Sequence, residues 1–239
     1  MAATAFVRDW PLVGRLEEKE RIARARRAGA AGVVLLGAAG VGKSRLAREA
    51  LVEFERSGAL TMWVQATRSA ATVPLGAFAG VVPAEVRSDD SFELMRGCVE
   101  ALCARAGPRE LVLGVDDAQL LDHTSAALVL QLAGTAAAFV VATIRSGDPC
   151  PDAIVSLWKD AGAQRLELGR LAEHEAGQLV EAIIGGPADH ATHRLIWETS
   201  QGSPLYIREL VIGALSGGAL ENVGGLWRMP FRPAVSASL

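Results

Sequence analysis

Gly37-Ala38-Ala39-Gly40-Val41-Gly42-Lys43-Ser44 meets the pattern G-x-x-x-x-G-K-[ST] at every defined position. Before it stands Gly32-Val33-Val34-Leu35-Leu36, a short apolar run with β-branched residues. After it, the stretch from Arg45 to Phe54 alternates apolar and charged residues at helical spacing. Strand, glycine loop and helix in this order point backbone N–H groups and a helix N-terminus at a polyphosphate. The Lys43 ammonium then reaches the β- and γ-phosphates, and the Ser44 hydroxyl sits on Mg²⁺. The chain has three lysines against twenty-one arginines, so a lysine at this position is not a by-product of composition. Gly37, Ala38, Ala39, Gly40, Val41, Gly42, Lys43 and Ser44, with Arg45 directly behind, are therefore the candidate contacts to a nucleoside triphosphate.

Outward from the loop, Leu16 to Ala28 reads as a charged helix and Thr61 to Ala66 as a second strand. Pro74 to Pro83 reads as loop or short helix. Ser91 to Ala106 has helical spacing, with Ser91 as the expected cap and Gly107-Pro108 as the stop. Leu111-Val112-Leu113-Gly114-Val115 is nearly continuous in apolar character, as a strand covered on both faces must be. A helix over His123–Ala133, a strand over Ala137–Ile144, a helix over Pro151–Ala161 and a strand over Gln164–Leu168 follow. Alternating strands and helices predict an α/β fold, a P-loop NTPase with a parallel sheet flanked by helices, and such sheets bind ligands at the carboxyl ends of their strands. After Leu171 three helices are expected, Glu173–Ile184, Ala188–Ser200 and Leu205–Leu215, forming a small helical subdomain. The expected limits are 1–170 for the α/β domain, 171–216 for the helical lid and 217–239 for a Gly/Pro-rich tail.

The apolar strand at 111–115 ends in Asp116-Asp117, about seventy residues beyond the loop. A carboxylate there can order Mg²⁺, and a second beside it can polarise the attacking water. The plainer alternative is that both aspartates cap the helix that follows, although Asp122 is better placed for that. Arg145 ends the next strand, where a cation could sense the γ-phosphate; a plain surface arginine is the alternative. The four histidines show no metal-ligand spacing, and no Ser-His-Asp or Cys-His arrangement is readable.

Composition bounds the rest. At 239 residues with half of them hydrophobic, the chain can bury a sizeable core. A net charge of −3 gives no global attraction to nucleic acid or an anionic membrane. Cys98, Cys103 and Cys150 form neither a disulfide framework nor a C-x-x-C pair, and read as small apolar fillers. The N-terminus lacks signal-peptide character. The uncharged stretch Thr124 to Ile144 carries Gln131, Gly134 and Thr135 in its middle, which fits a buried helix and strand better than a membrane span. A soluble, cytoplasmic protein without membrane contact is expected.

With these residues assembled, the chain resembles the N-terminal ATPase module of large LuxR-type bacterial transcriptional regulators. These are signal-transduction ATPases with numerous domains (the STAND class), related to AAA+ proteins. Leu12-Val13-Gly14-Arg15, the phosphate loop, Val115-Asp116-Asp117-Ala118-Gln119 and Gly202-Ser203-Pro204-Leu205-Tyr206 carry the resemblance. It implies that Val13, Gly14 and Arg15 lie against the adenine of ATP or ADP, and that Pro204 packs near the base from the helical subdomain. It also implies that Asp116, with Ser44, orders Mg²⁺, that Asp117 takes the catalytic acid position beside Lys43, and that Arg145 is the sensor arginine. A loose turn at Gly14 and a helix stop at Pro204 are the plain alternatives.

The acidic pair departs from the Asp-Glu usual in AAA+ motors, and the shorter Asp117 suits slow hydrolysis. Members of the family continue into a winged-helix region and a DNA-binding effector; 217–239 would be the start of a truncated winged-helix region, and direct nucleic-acid contact is not expected of this chain. The leading expectation is a regulatory ATP switch. The alternatives are an energy-transducing AAA+ subunit and a scaffold that binds ATP without hydrolysing it.

Overall fold

β1 (Gly32–Gly37) is buried along its whole length, as are β3 (Leu111–Asp116) and all but the last residue of β4 (Phe139–Arg145). Strands covered on both faces need continuous apolar sequence, and these three have it. β2 (Leu60–Gln65) and β5 (Gln164–Glu167) lie at the sheet's edges and bury fewer positions. The order β2-β3-β4-β1-β5 is parallel throughout, so every strand ends at the same edge of the sheet. β4 lies between the loop strand β1 and the acid strand β3, with Arg145 in register with Gly37. The computed structural model describes residues 12–229.

α1 (Leu16–Arg27) precedes β1, and helices fill the four crossovers: α2 (Lys43–Arg56), α3 (Ser91–Ala106), α4 (His123–Gly134) and α5 (Asp152–Lys159). α2 starts inside the glycine loop and buries Leu46, Ala47, Ala50 and Leu51. Asp122 caps α4, accepting from the Ser125 N–H at 3.0 Å, as anticipated. The cap of α3 differs from expectation. Asp90 rather than Ser91 accepts from the Phe92 N–H at 2.7 Å, because a carboxylate one residue upstream reaches the same orphan donors. The stretch before α3 folds into 3₁₀ turns at Ala70–Thr72 and Gly76–Phe78.

By its contacts the chain divides into two compact units. One holds Glu17–Ala38 and Lys43–Leu168, with all five strands of the parallel sheet. The other holds the described residues up to Leu16, the loop tip Ala39–Gly42, and the described residues from Gly169 on. The second unit contains α6 (Glu173–Ile184), α7 (His190–Ser200) and α8 (Pro204–Ser216), packed around Ala176, Val180, Ile196, Ile207 and Val211. Pro204 opens α8 at its first turn, where the missing N–H costs no hydrogen bond, so it starts a helix rather than stopping one.

The Gly/Pro-rich tail holds an unforeseen hairpin, β6 (Glu221–Val223) and β7 (Leu226–Arg228). It is tied to the helices: the Trp227 N–H donates to the Pro187 carbonyl at 2.9 Å, and the Met229 N–H to Thr192 Oγ1 at 2.9 Å. An irregular lead-in is expected over Arg8 to Gly14; its first part, Arg8 to Pro11, and Phe231 of the tail lie outside the described residues. The three cysteines are free. Thr124–Ile144 is α4, a turn and β4, and among the described residues no helix is long and apolar enough to cross a membrane.

Candidate nucleotide site

The loop is shaped by its carbonyls. Lys43 Nζ donates to the Gly37 and Ala38 carbonyls at 2.9 and 2.8 Å. The Leu205 N–H donates to the Gly40 carbonyl at 3.2 Å, and Arg15 to the Val41 carbonyl at 3.2 Å. Gly40 has φ +76°, and a Cβ there would stand 3.1 Å from both Leu205 Cβ and Ser203 Oγ, so turn and close approach both call for glycine. With its carbonyls engaged, the loop keeps its N–H groups: among the described residues, none from Ala39 to Gly42 donates to a protein acceptor. Such a row of orphan donors leading into a helix N-terminus suits a polyphosphate.

Across the loop, Ser44 Oγ donates to Asp116 Oδ1 at 2.6 Å. The hydroxyl and the carboxylate come from residues 72 apart in sequence, yet they meet as the motif reading requires. Thr143 Oγ1, fully buried on β4, donates to the same oxygen at 2.6 Å and accepts from the Asp117 N–H at 2.9 Å. Asp116 is buried and, among the described residues, forms no ion pair. A buried carboxylate whose side-chain hydrogen bonds come from two hydroxyls, with no ion pair, fits a site meant for a cation. The residues present therefore suit Mg²⁺, which Ser44 and Asp116 would hold.

Asp117 has left-handed backbone, φ +51° and ψ +46°, and its side chain caps no helix. The capping alternative is thereby removed for both aspartates, since Asp122 does that work. Arg145 is half exposed, and its Nε lies 3.9 Å from Asp148 Oδ2. Burial holds the Lys43 ammonium below a lysine's ordinary range; Asp117 opposes that shift, Arg145 adds to it, and Asp116 and Asp148 oppose it.

Other candidates have different surroundings. The Arg15 side chain is buried and donates to the Gly169 carbonyl at 2.6 Å as well as to Val41. Val13 packs against the apolar core of the helical unit. Gly14 has φ +69°, a left-handed backbone that favours glycine, and the atoms nearest a Cβ there belong to the Glu175 side chain. Arg45 pairs with Glu49 at 3.5 Å along α2. Sequence reasoning missed Thr143 and gave Gln119 no role; a hydroxyl two residues before the strand-end arginine was the available signal for the first.

No protein-family model matches the sequence, and no curated relative matches it. Solved structures do match the fold. The Aeropyrum pernix Orc1 protein, solved in complex with DNA, superposes with a TM-score of 0.66 at 16% identity, over 90% of this chain and 64% of its own. Cdc6p from Pyrobaculum aerophilum gives 0.62 at 15% identity, over 91% and 67%. Thermotoga maritima RuvB, solved as a point variant, gives 0.57 at 16%, over 88% and 66%. The chain thus spans about two thirds of these proteins or slightly less. It shares their fold, a P-loop NTPase fold with a parallel five-stranded sheet flanked by helices.

Proposed function

We propose that this chain binds ATP with Mg²⁺, hydrolyses it slowly, and serves as the nucleotide switch of a signal-responsive transcriptional regulator of the LuxR, STAND type. The contact between Ser44 Oγ and Asp116 Oδ1 at 2.6 Å carries the nucleotide reading, because it joins the loop to the acid strand as metal-bound phosphate would need. The AAA+ fold supports the same conclusion. When bound, Mg²⁺ neutralises charge on the β- and γ-phosphate oxygens, with Ser44 and Asp116 holding it.

The loop N–H groups and Lys43 bind the phosphates, Asp117 orients the attacking water, and Arg145 senses the γ-phosphate. The loop tip is bonded to Leu205 and Arg15, so a ligand that reshapes it acts on both. Ligand binding shifts a conformational balance only through different affinity for the two states, and these bonds are where such a difference would arise. The short Asp117 favours slow turnover. The effector would be the DNA-binding region that family members carry further along, and the setting the cytoplasm.

A second reading, an energy-transducing AAA+ subunit, draws on the likeness to RuvB and Orc1. It expects fast turnover in a ring, where the switch expects slow turnover in a monomer; steady-state hydrolysis with light scattering separates them. The nucleotide reading itself is tested by thermal unfolding. ATP–Mg²⁺ at a thousandfold over Kd stabilises by about 4 kcal/mol, and Lys43→Ala abolishes the rise. An unchanged melting curve at saturating ATP overturns it.

A further inference from the structure

Gln119 lies three residues beyond Asp116, in the 3₁₀ turn Ala118–Leu120, and is buried. Its amide makes two bonds of opposite sense. Nε2 donates to Asp117 Oδ1 at 3.2 Å, and Oε1 accepts from the backbone N–H of Arg145 at 3.2 Å. Only one orientation of the amide satisfies both, because the flipped form would set oxygen against carboxylate and NH₂ against N–H. Thr143 completes the frame, accepting from the Asp117 N–H while donating to Asp116. Asp117 is therefore gripped twice, at its backbone by Thr143 and at its carboxylate by Gln119.

We propose that Gln119 is a positioning residue for ATP hydrolysis: it locks the Asp117 carboxylate to the Arg145 end of β4, so that the water-orienting acid and the strand end carrying the phosphate sensor hold one geometry. The inference rests on the ATPase reading above. It follows from the chemistry of the pair. Asp117 sits in left-handed backbone, so its side chain projects from a turn, and a free carboxylate there would sample several rotamers. One amide donor removes that freedom. The same amide's acceptor fixes the donor's own place, because the Arg145 N–H belongs to a strand held in register with β1 at Gly37. Among the described residues, the Gln119 amide is the one side chain hydrogen-bonded to the Asp117 carboxylate.

The test uses the full chain, with ATP hydrolysis, nucleotide affinity from a fluorescent ATP analogue and thermal unfolding measured together. Gln119→Leu is expected to lower kcat about tenfold to a hundredfold while KM and analogue affinity stay within about twofold, since displacement of an orienting group by an ångström has effects of that size. Gln119→Glu sets a second carboxylate against Asp117 and moves the acid limb of the pH–rate profile upward. In an Asp117→Asn background, Gln119→Leu adds little further loss, as expected of a residue acting through Asp117. Wild-type turnover retained by Gln119→Leu, or equal added loss in both backgrounds, overturns the proposal while leaving the ATPase reading intact. A wild-type protein that does not turn over ATP overturns both. If Gln119→Leu proves unstable, the pH profile and Asp117 coupling of Gln119→Glu decide the matter alone.

Discussion

The Lys43 ammonium donates to two carbonyls of its own loop and sits in a buried setting that lowers its proton affinity. Between the lowered folded value and the ordinary lysine value, the unfolded chain binds the proton that the folded chain does not. Stability of the nucleotide-free protein therefore rises with pH through that window, and the gain is lost as pH falls through the folded value. Urea unfolding at stepped pH should show wild type gaining on Lys43→Met across the alkaline range, other titrations cancelling in the difference. A difference independent of pH would remove burial as the dominant influence. Bound triphosphate supplies negative charge and should flatten the same slope. The lysine's identity and its place at the loop were readable from spacing, but its carbonyl partners were not, because they depend on how the loop curls back on itself.

At the level of elements, continuous apolar runs announced β1, β3 and β4, and helical spacing announced the helices to within a few residues. Local patterns suffice there because each element's own side chains decide how much of it is buried. The order β2-β3-β4-β1-β5 was not legible in that way, since strand neighbours are set by crossovers spanning most of the sheet unit. Nor was the β6–β7 hairpin, whose three-residue strands are exposed or half-buried and are held by bonds to the Pro187–Thr192 segment. Gly114 illustrates the gap. In sequence it interrupts an apolar strand; in the fold a Cβ there would meet Trp63 Cε3 at 2.5 Å and Leu51 Cδ2 at 2.8 Å. Arg48 lies over the Trp63 ring at 4.6 Å, which leaves the indole little room to retreat. Gly114→Ala should cost about 1–3 kcal/mol through overpacking, with the ATP-induced rise in melting temperature preserved. A variant as stable as wild type would show that the Trp63 contact yields freely.

For the whole molecule the open question is charge, because an arginine-rich chain with an Orc1-like fold invites the thought of DNA. Arginine content alone does not make a surface that binds a polyanion; what matters is how much positive potential is left after pairing. Here Arg26 meets Glu110 at 2.6 Å, Arg96 meets Glu93 at 2.7 Å and Arg194 meets Glu198 at 2.9 Å. Lys19 likewise meets Glu53 at 2.5 Å, and the net charge of the whole chain is −3. Non-specific DNA binding rests on cations that displace counterions from several phosphates, and it reaches a Kd of about 10⁻⁴ to 10⁻⁶ M only where such cations are grouped and free. With several of its cations held by acidic partners and a net charge of −3, this chain should leave the anisotropy of a labelled duplex unchanged at about 0.15 M salt and protein concentrations up to about 0.1 mM. Lowering the salt should bring at most a weak, steeply salt-dependent response. Saturable binding at physiological salt would overturn the assignment of DNA contact to the effector region and shift the balance toward the energy-transducing reading. A response that appears only with ATP would do the same, by tying the nucleotide state to DNA through this chain itself.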